Sequence, residues 1–223
     1  MTAAMRALVT GGTGRVGARV AERLRADGSS VVAAGRADGD LATAAGARTL
    51  VERSVAELGG LDLLVYAAAA GFAPRRLEEV TEADWDAAVD TVAKGSFFVA
   101  QAAAAQLRAA RGTLILIEDV AAYQPWPSFA PHCAAKAAQA MLTRVLARAL
   151  APEVRVCGVA PGPVAVDEDR RERRAAETLL GRVGSPYDVA DAVLYLARAD
   201  FVTGTSLVVD GGRLLQSTGP VRA

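Results

Sequence analysis

The chain has 223 residues, no formal net charge at pH 7 and 52% hydrophobic residues. That length suits one α/β domain spanning residues 1–223 with a sizeable core. A balanced charge gives no reason to expect a nucleic-acid partner. No apolar run approaches the roughly 18 residues of a membrane span, so no membrane partner is expected. Met1 to Met5 lack the layout of a signal peptide. Two cysteines, Cys133 and Cys157, are too few for a disulfide framework. These features together point to a reduced, cytoplasmic protein.

An apolar run over 7–10 suits a buried strand, and the mixed apolar and charged run over 15–26 suits a helix. Between them stands T-G-G-T-G-R-V-G, Thr10 to Gly17. Gly12, Gly14 and Gly17 have the spacing G-x-G-x-x-G in the strand-to-helix setting that a dinucleotide site requires. Such glycines let the backbone turn sharply and approach a ligand. A helix starting there offers N–H groups and partial positive charge to a pyrophosphate. The plain alternative is a glycine-rich turn.

Further strands are predicted over 30–34, 61–67, 112–117, 154–160 and 206–209. Helices are predicted over 42–58, 82–110, 131–150, 175–180 and 186–197. This alternation predicts a doubly wound, mostly parallel sheet of Rossmann type. The stretch from Arg36 to Ala42 is too short for the helix and third strand such a unit normally has there. Residues 163–174 are polar and charged after a Pro-Gly-Pro turn, which suits a mobile flap or a surface loop. Arg171, Arg173 and Arg174 are flanked by acids and read as a solvated helix face.

Five segments now fall in order. They are the turn at 10–17, L-D-L-L-V at 61–65, V-R-V-C-G-V-A-P-G-P-V at 154–164, G-R-V-G-S-P-Y-D-V-A at 181–190 and V-T-G-T-S-L-V-V-D-G-G at 202–212. The chain resembles the short-chain dehydrogenase/reductase family over nearly its whole length. The resemblance implies a nicotinamide cofactor lying across the C-terminal ends of the strands. It implies that Thr10, Gly11, Thr13, Gly14, Arg15, Val16 and Gly17 form the pyrophosphate turn, with Ala67 and Ala68 beside it. Pro161, Gly162 and Val164 fall at the nicotinamide end. Arg36 ends the second strand where an acidic residue would hold an NAD ribose. An arginine there suits the 2′-phosphate of NADP, so NADPH is expected over NADH. The alternative is a solvated arginine. Arg15 stands where the family's usual turn has glycine. This resembles the pteridine-reductase branch, T-G-x-x-x-R-x-G, although the letters also fit the extended branch. Arg15 then suits an anionic or electron-rich group, or it points to solvent.

The family's chemistry rests on Asn, Ser, Tyr and Lys. Here Tyr-x-x-x-Lys reads H-C-A-A-K, so His132 takes the tyrosine place and Lys136 remains, both on one helix face. The serine place falls on Asp119, as in pteridine reductases, with Gln124 and Pro125 following it as in that branch. The asparagine place, judged from Trp85 and Gly95, falls on Val92. The N-N-A-G segment reads Y-A-A-A from Tyr66 to Ala69. By the resemblance, Lys136 also holds the nicotinamide ribose. Histidine, with a reference pKa of about 6.5 against about 10 for tyrosine, donates a proton well near neutral pH. Such a general acid is worth about 10²–10⁴-fold in rate. Hydride chemistry belongs to the cofactor.

The expected activity is therefore NADPH-dependent reduction of a carbonyl or imine on a small cyclic or aromatic substrate, with Asp119, His132 and Lys136 as the catalytic set. The same trio suits dehydration, isomerisation or cyclisation without a cofactor. A non-catalytic family member is the third reading. Tyr123, Trp126 and Phe129 suit either an aromatic substrate pocket or ordinary packing, with Tyr123 a spare phenol. Glu118 suits an ion pair and Cys133 the core. No metal is expected. The resemblance also implies a homo-oligomer, a dimer or tetramer, joined through the two long helices.

Overall fold

Ala7, Leu8, Val9 and Thr10 are all fully buried, as a strand inside a parallel sheet must be. The computed structural model describes residues 4–71, 73–164 and 166–216. Residues 1–3, part of the N-terminal stretch read above, lie outside it, as does position 165 of the polar 163–174 stretch.

In chain order the elements are β1 (Arg6–Thr10), α1 (Arg15–Ala26), β2 (Ser30–Ala34), α2 (Ala44–Leu58), β3 (Leu63–Tyr66), α3 (Glu82–Val89), α4 (Gly95–Ala110), β4 (Thr113–Ile117), α5 (Ala130–Leu150), β5 (Arg155–Pro161), α6 (Glu168–Ala175), α7 (Pro186–Arg198) and β6 (Ser206–Val209). The strands form one parallel sheet of six, ordered β2-β1-β3-β4-β5-β6. Helices α1 and α7 cover the face carrying Val9, Val65, Ile115 and Val159. Helices α2, α4 and α5 cover the face carrying Leu8, Leu64, Leu116 and Val156. This is a doubly wound Rossmann-type α/β fold. The strand order reverses between β1 and β3, which puts the ligand crevice at their C-terminal ends.

The predicted shortening is visible. After β2 the chain makes a 3₁₀ turn at Arg36–Asp38 and enters α2 directly, so β2 is the edge of the sheet. Asp38 closes the turn by accepting the Gly35 N–H at 2.8 Å. Thr43 caps α2 by accepting the Gly46 N–H at 3.1 Å. Helix α2 then crosses β1 and delivers the chain to β3.

Three predicted elements are corrected. The helix over 82–110 is two helices joined by a π turn at Asp90–Lys94. The Tyr66 hydroxyl, buried at the end of β3, donates to the Thr91 carbonyl inside that turn. A single π turn is how a helix absorbs an extra residue beside a site. The helix over 175–180 lies instead at Glu168–Ala175, and residues 176–181 are turns. Glu168 and Asp169 in its first turn, with Arg173 and Arg174 in its last, complement the helix dipole. Charge order rather than apolar periodicity therefore sets this helix, and much of the 163–174 stretch read as a flap or loop is helical. Strand β3 is also shorter than the predicted 61–67. No described helix is long and apolar enough to cross a membrane.

Candidate active site

The turn at the end of β1 shows why its glycines are glycines. Gly11 has φ +64°, and a Cβ there would lie 2.5 Å from the Ala67 carbonyl oxygen. A Cβ on Gly17 would lie 2.2 Å from the Gly11 carbonyl oxygen. Gly14 is the N-cap of α1 and supplies no side-chain cap, so the first N–H groups of the helix lack that partner. These features frame a cavity of about 700 Å³ lined by Gly11, Thr13 to Gly17, Arg36, Ala67 and Ala68. The cavity spans the β1–β3 crevice, and its uncapped helix start and close backbone approach fit a dinucleotide pyrophosphate. Arg36 is exposed on its rim.

Gly35, Gly39, Asp40, Leu41, Ala42, Ala69 and Thr91 also line this cavity and were not anticipated. Most of them belong to the shortened link, whose path across the crevice has no periodic signal. Other expected residues lie elsewhere. Thr10 is fully buried beneath the turn, and its hydroxyl has no hydrogen-bond partner among the described residues. Val164 bridges to Gly184 and lines a separate cavity of about 430 Å³ with Leu179, Asp188 and Leu207. Pro161 ends β5 and Gly162 packs on Asp210; neither lines either cavity. Arg15 pairs with Asp167 at the start of α6, at 2.8 Å.

Asp119, His132 and Lys136 come together above β4. Asp119 Oδ1 accepts the Ala121 N–H at 2.8 Å, which fixes the carboxylate at the strand end. Its Oδ2 lies 3.4 Å from His132 Nε2. His132 is buried on α5, and the Trp126 ring lies parallel over it at 6.4 Å between centroids. Arg213 covers Trp126 at 5.1 Å and pairs with Glu177 at 2.8 Å. Gln124 Oε1 accepts from both the Trp126 indole at 3.2 Å and Arg213 Nε at 3.3 Å. Lys136, one turn beyond His132, is buried and donates to the Ile117 carbonyl at 2.7 Å and to Gln139 at 2.9 Å. Burial lowers the Lys136 pKa to about 8, against the pull of Asp119 and Glu118. Val92, at the asparagine place, is buried and brings no polar group.

Tyr123 is half-exposed, and its hydroxyl donates to Glu118 at 3.0 Å. Glu118 has no ion-pair partner among the described residues, so the ion-pair expectation is corrected. Cys133 is only half-buried, against the expectation of core, and both cysteines are free thiols. No cluster of metal-ligating side chains occurs among the described residues.

A family model described as enoyl-(acyl carrier protein) reductase matches residues 7–213. The chain belongs to the short-chain dehydrogenase/reductase family. Dehydrogenase/reductase SDR family member 4 of Homo sapiens is 32% identical over 239 residues, covering 92% of this chain and 86% of that protein. The 3beta-hydroxysteroid dehydrogenase 1 of Eggerthella lenta is 34% identical over 244 residues, covering 93% of each. A blue fluorescent protein from a metagenomic library, solved in complex with NADPH, superposes with a TM-score of 0.83 at 30% identity, over 93% of this chain and 96% of that one. These relatives are dehydrogenases and reductases or share their fold, and the chain is read as an enzyme of that kind.

Proposed function

We propose that this protein is an NADPH-dependent reductase acting on a carbonyl or imine of a small cyclic or aromatic substrate. The observation that carries the reading is Asp119, His132 and Lys136 converging at the strand ends, beside a glycine cradle shaped for a dinucleotide. A bound NADPH supplies the hydride. His132 delivers a proton to the substrate oxygen or nitrogen. Asp119 orients the ring and balances the imidazolium. Lys136 holds the nicotinamide ribose, with Pro161, Gly162 and Val164 at that end of the cofactor. The broad face of Trp126 over His132 suits a planar substrate, with Tyr123 at the pocket's edge. Arg36 takes the 2′-phosphate. Placement in the pteridine-reductase-like branch rests on Arg15 and Asp119.

Two free cysteines suit a reduced compartment such as the cytoplasm. Met141 and Val145 stand exposed on α5, which suits a second copy of the chain packing there.

The test is a titration with NADPH and NADH, followed by energy transfer from Trp85 and Trp126. NADPH is expected to bind, and Arg36→Ala to weaken it about tenfold or more while leaving NADH nearly unchanged. No binding of either nucleotide sinks the reading. Turnover of a cyclic substrate without nucleotide supports a second reading, acid–base chemistry by Asp119 and His132 alone. The buried, apolar Val92 at the asparagine place favours that second reading. Nucleotide binding with no turnover of any kind points to a non-catalytic member.

A further inference from the structure

Trp126 stands in a loop between β4 and α5, outside any long helix or strand. Tyr123, Pro125, Pro127 and Ser128 around it are exposed. A segment with few buried apolar contacts opens easily. The Trp126 indole is nevertheless the ring that lies over His132, with 12° between the two planes. Its orientation is held from outside the loop.

Arg213 supplies that hold. Its guanidinium lies over the indole face, 5.1 Å from the ring centroid. Its Nε donates to Gln124 Oε1 at 3.3 Å, the same oxygen that accepts the indole N–H at 3.2 Å. The indole is gripped at its face and at its edge, so it cannot turn without breaking one of these contacts. Arg213 is itself fixed. Its Nη1 pairs with Glu177 at 2.8 Å, and Glu177 also accepts from Arg174 Nη1 at 2.8 Å. Only 13% of the Arg213 side chain is exposed, so the guanidinium is seated in protein rather than solvated. Its backbone opens a 3₁₀ turn, Arg213–Leu215, just after β6. Asp210 pins that turn by accepting the Gly212 N–H at 2.7 Å and the Leu214 N–H at 2.8 Å. A planar fork that stacks and hydrogen-bonds at once is what arginine provides and lysine does not.

We propose that Arg213 is a positioning residue that clamps the Trp126 indole over His132 and so fixes one wall of the substrate pocket. It acts through Trp126, and it ties the end of β6 and the turn after α6 to the loop that covers the site. The catalytic consequence rests on the reading of His132 as proton donor given above. A wall held in one place presents the substrate to that donor in one geometry.

The sequence makes the test direct, because His132 is the only histidine. Histidine labelled with ¹³C at Cε1 gives one signal, and the ring current of Trp126 displaces it. Trp126→Leu sets the full displacement. The signal is read in the nucleotide-free protein for wild type and Arg213→Met, with a cooperative thermal transition as the check of folding. Arg213→Met is expected to move the signal at least half of the way to its Trp126→Leu position. A smaller movement in folded protein overturns the proposal. Where Arg213→Met does not fold, Glu177→Leu, which frees the outer end of Arg213, is read by direction. Movement toward the Trp126→Leu position supports the clamp, and no movement overturns it. Loss of folded protein in both variants assigns Arg213 to the fold and overturns it too. With a reducible substrate, Arg213→Met is expected to lower kcat about tenfold or more while NADPH affinity stays within about twofold. An unchanged kcat overturns the catalytic consequence. The histidine signal needs neither substrate nor nucleotide. Failure of the reductase reading leaves the clamp standing, and failure of the clamp leaves His132 as the proton donor.

Discussion

In the proposed function His132 is the residue on which the chemistry turns, because it stands at the place of the family's phenol. Its removal gives the sharpest residue-scale prediction. His132→Phe keeps the ring's bulk under Trp126 and loses the proton. Reductase turnover should fall by about 10²–10⁴-fold while NADPH affinity changes little. Steady-state kinetics beside a binding titration checks both halves, and retained turnover removes His132 from the mechanism. Lys136 gives a second prediction, in stability. Below about 8 it is charged in both folded and unfolded chains. Above that, the folded chain releases the proton while the unfolded chain keeps it up to the ordinary value of 10.5. The unfolded state then binds more protons, so stability rises with pH across that window. Lys136→Met should lack this rise, which urea unfolding from pH 7 to 10 would show as a diverging difference. The His132–Lys136 spacing was legible in the chain, since a helix converts a four-residue step into one face. The partners of Glu118 were not, because Thr143 and Ser206 lie 25 and 88 residues away.

Among the elements, the turn between β1 and α1 carries the tightest constraint. Gly17→Ala forces a methyl group against the Gly11 carbonyl, 2.2 Å away. Overpacking of that kind costs about 1–3 kcal/mol and opens the turn. Thermal unfolding should register the loss, and nucleotide binding should fail even below the melting range. A variant as stable as wild type that still binds would show that the turn can give. The glycine pattern was legible because only backbone needs dictate it. Helix α6 was placed too late because a charged helix has no apolar stripe to read. The π turn after α3 escaped notice because the hydroxyl that bonds to it, on Tyr66, sits on another element.

The whole molecule raises the question of assembly. Met141 and Val145 lie on the outer face of α5, each about half exposed. If that face meets a second copy, the paired change Met141→Asp and Val145→Asp should halve the mass seen by light scattering. Wild-type protein that is already a monomer at assay concentration rules out the interface. By itself the sequence determined the strand–helix alternation, the glycine-rich turn after β1, the loss of a strand after β2 and the His132–Lys136 spacing on one helix face. Each of these depends on local backbone preference or short periodic spacing. The tertiary structure alone decided which residues close the cavity, what covers His132 and what faces Lys136. Those contacts join strand ends, loops and helices far apart in the chain, and only packing the sheet brings them within hydrogen-bonding range.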